Sequence, residues 1–398
     1  MKGDSTEKTN RGGRGGRREQ EFPDKNSAAK KGFFRRLNGM GEKTMLKRWG
    51  MTAGLLALTV AALLGRQQEA AGRPMEDTFV YLPLVVKSPP ELALEAPSLS
   101  CGSNAWTMAW NDGGTAVSAY LLEEAHEPAF TAPVPYMTTA TTQALNHPPS
   151  TDNLYYYRVR ADGNWGAGPW SETQLVVGGF LDTFTDAGSG WPVADDAQGS
   201  AAYAGGAYLV GAKQAGYLIA ALAPDVARNG YRAAVDVQWA AGSATDGLYA
   251  LVFGAAADLN RYYFLAVRPS AQSYRVYFFD GSLPAADRLR PLTAWTPSAA
   301  IHGGAQMNHL EVTRVGDGIQ AAVNGTAVGS WTDAAQTGAT FSGVVVSSNP
   351  ANPAAAASFD NFSLGACGTI LAQTALEVNR TAVQIGPGIS VDAIDMGW

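Results

Sequence analysis

The sequence predicts an all-β fold, and three observations support this prediction. Only 16% of the 398 residues are charged, well below the usual quarter, and 45 residues are glycine. From residue 91 onward, apolar runs of strand length alternate with polar residues. Turn signals such as Asn324-Gly325, in which both residues tolerate positive φ, separate these runs. We therefore expect two β-sandwich domains behind a single N-terminal apolar helix.

Charge is unevenly distributed along the chain. Residues 1–48 hold 14 Lys or Arg and 6 Asp or Glu, a net charge of +8, and because the whole chain carries −6, residues 49–398 carry −14. An acidic globular part has no attraction for phosphate backbones. No aromatic residue interleaves the arginines of RGGRGGRR at residues 11–18. We expect a disordered basic cytoplasmic tail over residues 1–48 and no nucleic-acid partner, with an RNA-binding tail as the minor alternative.

An apolar segment follows the basic leader. Residues 49–65 carry no charge and are rich in Leu, Ala and Val, just short of the roughly 20 residues that span a bilayer. Positive charge ahead of such a segment keeps the N-terminus in the cytoplasm and places the rest outside. We expect a transmembrane signal anchor, or a signal peptide if translation begins at Met45. The product would then lie in the cell envelope or be secreted.

The remaining chain divides into four parts. Residues 66–90 predict a linker or stalk that ends at Pro89-Pro90. Residues 91–178 and residues 179–366 each show the spaced short strands of a β-sandwich. Residues 367–398 alternate weakly, and we expect a C-terminal tail or an edge strand.

Residues 91–178 resemble fibronectin type III domains. Trp106, Met108 and Trp110 alternate in AWTMAW, and Trp110 matches the core tryptophan of that family. LYYYRVRADGNWGAGPWSE follows the family's Tyr-x-x-Arg-Val-x-Ala strand and its final turn. The resemblance implies that the hydroxyl of Tyr155 bonds back to the chain as a tyrosine corner. It implies little about function, because such modules usually act as spacers or adhesive surfaces.

Residues 179–366 resemble the concanavalin A-like (laminin G-like) jelly rolls of bacterial surface proteins. The matching stretches are FLDTFTDAGSGWP, YALVFG, NRYYFLAVRP, YRVYFFDG, NHLEV, GDGIQAAVNG and SFDNFSLG. Members of this family include carbohydrate-binding modules, adhesion domains and some glycoside hydrolases, so the resemblance implies contact with sugar or glycan. The hydrolase branch carries Glu-x-Asp-x-x-Glu on one strand, and this sequence has no such motif.

Catalytic motifs are sparse. Glycoside hydrolysis needs two facing carboxyl groups about 5 to 9 Å apart, and the strand acids Asp236, Glu311 and Asp280 do not recur at i, i+2 or i+4. The chain has four His and lacks the metalloprotease, Gly-x-Ser-x-Gly and phosphate-loop motifs. We expect a non-catalytic protein without a cofactor, and a glycoside hydrolase is the distant alternative.

The predicted binding site is the outward face of the middle strands of residues 179–366. Sugars are bound by aromatic rings and by planar polar groups. Alternation places Asp236 and Gln238 on one face of a strand, and we expect tyrosines and an arginine of neighbouring strands to share that face. Packing of the tyrosines in the core is the alternative. The predicted ligand-binding residues are Asp236, Gln238, Tyr249, Tyr263, Arg275 and Tyr277.

Two residue pairs carry further predictions. Asp182 and Asp360 occupy matching places in LDTF and FDNF, where related sandwiches often bind a structural Ca²⁺. Calcium needs six or more oxygen ligands, so strand-end hydrogen bonds are the alternative. Cys101 and Cys367 lie at the edges of the two sandwiches, and an extracytoplasmic location permits a disulfide between them. Two separately buried thiols are the alternative.

The function that these observations predict is non-catalytic binding or adhesion outside the cytoplasm. The jelly roll would contact carbohydrate or a cell-surface glycan, with the fibronectin-like module as a spacer. A structural component that binds protein partners and has no sugar site is the alternative.

Overall fold

The computed structural model describes residues 88–114, 116–369 and 389–390. The basic leader, the predicted anchor at residues 49–65 and most of the stalk lie outside these residues. Within them the chain is all-β apart from two short 3₁₀ helices, Pro269–Ala271 and Ala285–Asp287, so the predicted fold class is confirmed there. In this part of the chain, no helix is long and apolar enough to cross a membrane.

The smaller sandwich packs a three-stranded sheet against a five-stranded sheet. Its strands are β1 (Leu94–Glu95), β2 (Ser98–Leu99), β3 (Ala105–Trp110), β4 (Val117–Ala125), β5 (Val134–Thr138), β6 (Thr142–Asn146), β7 (Leu154–Gly163), β8 (Gly166–Ala167) and β9 (Gln174–Val177). One sheet has the order β1-β3-β6, and the other has the order β5-β4-β7-β8 with β9 paired to β7. Strand β2 belongs to neither of these sheets.

Alternating apolar side chains build the core of the smaller sandwich. Trp106, Met108 and Trp110 of β3 are all buried, whereas the intervening residues are more exposed. They meet Tyr157 and Val159 of β7, which are fully buried. Burial of each such side chain is worth about 2–3 kcal/mol. The period-two pattern therefore places the core of this sandwich correctly.

The tyrosine-corner prediction for Tyr155 is wrong. Its ring is buried and stacks on His147 with 4.3 Å between ring centroids, and its hydroxyl makes no hydrogen bond within the described residues. The bonded hydroxyl of this strand belongs to Tyr157, which donates to Glu124 Oε2 at 2.7 Å. Glu124 Oε2 also lies 3.0 Å from His147 Nε2.

The larger sandwich and the segment that follows it contain the remaining strands. These are β10 (Phe180–Asp182), β11 (Ala194–Asp195), β12 (Gly199–Ala204), β13 (Ala207–Ala212), β14 (Tyr217–Leu222), β15 (Gly230–Trp239), β16 (Leu248–Ala255), β17 (Arg261–Arg268), β18 (Ser273–Asp280), β19 (Leu289–Pro291), β20 (Thr296–Pro297), β21 (Asn308–Val315), β22 (Gly318–Val323), β23 (Thr326–Thr332), β24 (Phe341–Ser347), β25 (Ala355–Ala366), β26 (Gly368–Thr369) and β27 (Ile389–Ser390).

Two antiparallel sheets form this sandwich. The nine-stranded sheet has the order β11-β12-β13-β25-β15-β21-β22-β23, with β10 paired to β25. The eight-stranded sheet has the order β19-β18-β17-β16-β24-β14-β27, with β20 paired to β18. Strand β25, near the end of the chain, thus lies between β13 and β15. Strand β27 places part of the predicted C-terminal tail at the edge of the eight-stranded sheet.

The two outer faces of the larger sandwich differ in character. All eight residues of β16 are buried, so the eight-stranded sheet is covered on both faces along this strand. The side of this sheet away from the core between the sheets is apolar, with Leu248, Val252, Tyr262 and Phe264 all at 0% exposure. The nine-stranded sheet instead alternates buried and partly exposed residues along β15, β21 and β25. Its outer face is therefore the accessible one.

A buried polar cluster joins the two sandwiches, which lie in one compact unit. Arg228 Nε donates to Asp225 Oδ2 at 2.8 Å, and Arg228 Nη2 donates to the Gly178 carbonyl at 2.9 Å. Asn153 of the smaller sandwich donates from Nδ2 to Asp225 Oδ1 at 3.0 Å. A small apolar cluster packs beside these groups, made of Leu154, Val177 and Val226. The smaller sandwich is thus fastened to the larger one through charged and apolar contacts.

A disulfide between Cys101 and Cys367 adds a covalent link. Of the two alternatives left open by the sequence, the structure shows the disulfide. Strand β2 pairs with β26 directly after Cys367, with Leu99 opposite Gly368. The bond therefore ties the start of the smaller sandwich to the end of the larger one.

Candidate functional site

The six predicted binding residues do not share one face. Asp236 and Gln238 lie on β15 in the nine-stranded sheet and are partly exposed. Tyr249 and Tyr263 lie in the eight-stranded sheet, point into the core between the sheets and are 0% exposed. The last two, Arg275 and Tyr277, lie on the other face of the eight-stranded sheet. The prediction of a common surface is therefore wrong, because β15 pairs with β21 and β25 and not with β16, β17 or β18.

The two core tyrosines bond within the protein. Asn308 Nδ2 donates to the Tyr249 hydroxyl at 2.8 Å, and burial raises the pKa of Tyr249. The Tyr263 hydroxyl donates to the Asp333 side chain. Burial, together with this bond, raises the pKa of Tyr263 to about 12. Both tyrosines are packing residues with satisfied hydroxyls, as the alternative interpretation expected.

Arg275 and Tyr277 belong to a cluster of cations and rings. Arg275 Nη1 donates to the Tyr277 hydroxyl at 3.1 Å, and the Arg268 guanidinium lies 3.9 Å from the centroid of the Trp295 ring. Tyr277 is 0% exposed, and burial raises its pKa. Arg268, Tyr277 and Trp295 each make at least one further interaction within the protein. Arg268, Arg275 and Trp295 are partly exposed, so the cluster reaches the surface with its groups already bound to one another.

The outer side chains of β15, β21 and β25 form what we call the polar face. Strand β15 places Asp236 opposite His309 of β21 and opposite Asp360 of β25. Residues directly opposite each other in antiparallel strands share a face. Strand register thus gathers polar residues from three distant parts of the chain. The polar face consists of Arg232, Asp236, Gln238, His309, Glu311, Ser358, Asp360 and Asn361.

Asp236 is the centre of the polar face. Its Oδ1 accepts a hydrogen bond from His309 Nδ1 at 2.7 Å, and its Oδ2 accepts one from Asn361 Nδ2 at 2.9 Å. The His309 side chain is 41% exposed and the Asp236 side chain is 20% exposed. The second ring nitrogen of His309 has no partner among the described residues. Three planar polar groups are thus held in place while remaining open to solvent.

A β-bulge brings Asn361 into this cluster. The register between β15 and β25 shifts between Ala234 and Asp236, and Asn361 has φ 49°, in the left-handed region. Asn tolerates this conformation better than most residues. A bulge re-aims a side chain that would otherwise follow the strand's alternation. The extra residue accounts for the bond from Asn361 to Asp236.

Two further groups flank the centre. Arg232 and Glu311 form an ion pair on the side toward the smaller sandwich. A Cβ added at Gly102 of the smaller sandwich would lie 3.6 Å from Arg232 Nη1. On the other side, Gln238 lies opposite Ser358. The polar face therefore extends from the junction of the two sandwiches along β15.

The calcium prediction for Asp182 and Asp360 is not supported by their placement. Asp182 is buried opposite Phe362 on the core side of the sheet, and its Oδ1 accepts a hydrogen bond from the Phe184 amide at 2.8 Å. Asp360 lies on the outer side and accepts a bond from the Asn361 amide at 2.7 Å. The two carboxyl groups thus face opposite sides of the sheet. Within residues 88–114, 116–369 and 389–390, no three His, Cys, Asp or Glu are grouped to hold a metal ion.

A groove of about 330 Å³ lies where the two sandwiches meet. It has no aromatic lining and contains none of the residues singled out by the sequence. Its walls are Thr151, Asp152, Asp186, Gly188, Ser189, Gly190 and Pro224.

Comparisons with known proteins give only distant similarities. No family profile and no curated protein matches the sequence. A carbohydrate-binding module from Bacillus subtilis is similar at 16% identity, with 44% of this chain and 96% of that chain covered and a TM-score of 0.32. A β-glucanase from Bacillus licheniformis is similar at 8% identity, with 47% and 98% covered and a TM-score of 0.33.

A match over a shorter part of the chain is to the sixth fibronectin type III domain of a human fibronectin type III domain-containing protein. The identity is 26%, with 23% of this chain and 87% of that chain covered and a TM-score of 0.19. At these TM-scores the similarities do not assign a ligand. The sandwich architecture rests on the strand pairing of the two sandwiches themselves.

Proposed function

We propose that this protein is a non-catalytic extracytoplasmic binding protein and that its polar face binds carbohydrate. The observation that carries the proposal is the Asp236–His309–Asn361 cluster. Its planar groups are fixed by one another and are partly exposed. Sugar hydroxyls are recognised by a small number of such positioned donors and acceptors.

The contrast between the two outer faces supports this choice of surface. The outer side of the eight-stranded sheet is apolar and already buried along β14, β16 and β24, so this part has no room for a hydrated ligand. The residues that make up the polar face include no Phe, Tyr or Trp for stacking on a sugar. We therefore expect weaker binding than at a site with a stacking platform.

The disulfide supports a location outside the cytoplasm, because such bonds persist in oxidising compartments. The proposal places the predicted anchor at residues 49–65 in the membrane and both sandwiches outside it. The smaller sandwich is taken as a fibronectin type III-like module and the larger one as a concanavalin A-like jelly roll. Because the buried cluster at Asp225 fastens the two together, the smaller module would hold the polar face at a fixed orientation.

A glycan array with the full-length protein tests the proposal. We expect Asp236→Ala and His309→Ala to weaken binding of a retained glycan at least tenfold. The matched control is His126→Ala on the smaller sandwich, whose side chain is 50% exposed, and it should bind as the parent does. Equal binding by all three variants would contradict the choice of face. Silence of the parent across the array would favour the protein-adhesion alternative.

One observation favours glycoside hydrolysis as a second candidate. Asp236 lies directly opposite Asp360, and the Cβ atoms of such cross-strand pairs are about 4.5–5.5 Å apart. A retaining glycosidase needs two carboxyl groups about 5 Å apart. Release of reducing sugar by the full-length protein, abolished in Asp360→Asn, would establish this activity. No release from a polysaccharide that the protein binds would exclude it for that polysaccharide.

A further inference from the structure

Arg314 is a buried cation inside the larger sandwich. It lies on β21 opposite Tyr231 and is 2% exposed. Its Nε is 3.5 Å from the Gly316 carbonyl, at the limit of a hydrogen bond. Neither Nη1 nor Nη2 has a hydrogen-bond partner among the described residues. Arginine keeps its charge in proteins, so the positive charge remains although its donors are unsatisfied.

The space around this guanidinium is shaped to hold it. Its central carbon lies 4.9 Å from the centroid of the Tyr263 ring. A Cβ added at Gly254 would overlap Nη1, and Gly254 has φ +60°. The Gly254 amide donates to the Tyr231 hydroxyl at 2.6 Å, which fixes the backbone beside the guanidinium. The Tyr263 ring and the Gly254 backbone therefore hold the Arg314 guanidinium in one position.

Among the described residues, no carboxylate neutralises Arg314. The nearby Asp333 accepts hydrogen bonds from Arg290 and from the Tyr263 hydroxyl. The ring of Tyr263 offers a cation–π contact, which compensates for only part of the lost hydration. A buried charge without a counter-charge is strongly unfavourable. The described residues therefore supply no negative group that balances the charge of Arg314.

We propose that Arg314 binds a small inorganic anion, chloride under extracellular conditions. The low exposure of Arg314 leaves no room for a sugar or a peptide. The neighbouring turn residues Val315, Gly316 and Asp317 are exposed, so solvent reaches the β21–β22 hairpin beside the guanidinium. The bound ion would accept hydrogen bonds from Nη1 and Nη2 and neutralise the charge in the interior. This site is independent of the polar face.

Unfolding of the full-length protein in chloride tests the proposal. Chloride replaces gluconate, an anion too large for the site, at constant ionic strength. For one ion that binds only the folded state, each tenfold rise in chloride above its dissociation constant raises the folding constant tenfold. We expect this dependence in the parent and in Lys213→Met, which removes an exposed cation elsewhere in the larger sandwich. We expect none in Arg314→Met.

A bromide-soaked crystal provides a second test that needs no variant. An anomalous peak within hydrogen-bond distance of Arg314 Nη1 or Nη2 supports the site. Electron density for water alone at these atoms, without an anomalous peak, overturns it. A chloride dependence of equal size in the parent and in Arg314→Met also overturns it.

Discussion

Arg228→Met removes the charge partner of Asp225 at the junction of the two sandwiches. Both side chains are 3% exposed, so the remaining carboxylate would keep only the 3.0 Å bond from Asn153 Nδ2. Removing one member of a buried ion pair costs about 3–5 kcal/mol, because the other charge stays buried without compensation. This is a large share of the roughly 5–15 kcal/mol that stabilises a folded protein. At about 2 °C per kcal/mol, the unfolding temperature should fall by about 6–10 °C.

Urea and thermal unfolding followed by tryptophan fluorescence measure this loss. The matched control is Lys213→Met, which breaks an ion pair to Asp195 whose side chains are 40% and 77% exposed. A surface pair of this kind is worth less than about 1 kcal/mol. A loss in Arg228→Met no larger than in Lys213→Met would refute the reasoning from burial.

The double variant Asp225→Asn/Arg228→Met separates charge from packing. An amide at position 225 needs no counter-charge, so the double variant should be more stable than Arg228→Met alone. The double-mutant cycle yields the interaction free energy of the pair. Additive losses would show that the two side chains are not coupled.

Three other predictions concern the disulfide, Asp333 and Asn308. Replacing Cys101 and Cys367 together with serine should lower the free energy of unfolding by about 2–5 kcal/mol, since a loop of 266 positions is released; an unchanged urea midpoint would contradict this. The hydrogen bond from Arg290 holds the pKa of Asp333 down to about 2. Because the unfolded value is about 4, the stability from this carboxyl is present above about pH 4 and lost as the pH falls through about 2. Because Arg290 is exposed to solvent, this contribution to stability is limited to about 1 kcal/mol. Urea unfolding of Asp333→Asn should therefore show a flatter pH dependence than the parent between about pH 4 and about pH 2. An equal slope in parent and variant would refute the assignment. Asn308 is fully buried and bonds to the Tyr249 hydroxyl and to His302, so Asn308→Leu should cost about 3 kcal/mol; a loss below about 1 kcal/mol in chemical unfolding would count against these bonds.

Alternation along single strands was readable from the sequence. YRAAVDVQW correctly predicts Tyr231, Val235 and Val237 as buried and Asp236 and Gln238 as outward. Strand neighbours were not readable, because β15 pairs with β21 and β25, which come from distant parts of the chain. The tyrosines of the predicted site were therefore placed beside β15, whereas they belong to the opposite sheet.

Another signal was present and pointed to the core. LYALVFGA and RYYFLAVR are nearly continuous apolar runs, which are typical of strands buried on both faces. The structure buries every residue of β16 and all but the terminal arginines of β17. Such runs favour packing roles for Tyr249 and Tyr263 over a surface role.

Two central residues of the polar face were missed by sequence reasoning. His309 reaches Asp236 because of strand register, and Asn361 reaches it through a β-bulge. Neither relation leaves a spacing pattern in the chain. Similarly, the spacing of the two cysteines did not decide between a disulfide and free thiols, whereas the pairing of β2 with β26 brings them together.

Histidine labelling with diethylpyrocarbonate tests the polar face most directly. His309 and His126 have similar exposure, at 41% and 50% of the side chain, so both should react in the free protein. With a saturating glycan from the array, mass spectrometry should show that His309 is protected while His126 still reacts. An unchanged rate at His309 in the glycan-bound protein would contradict binding at this face.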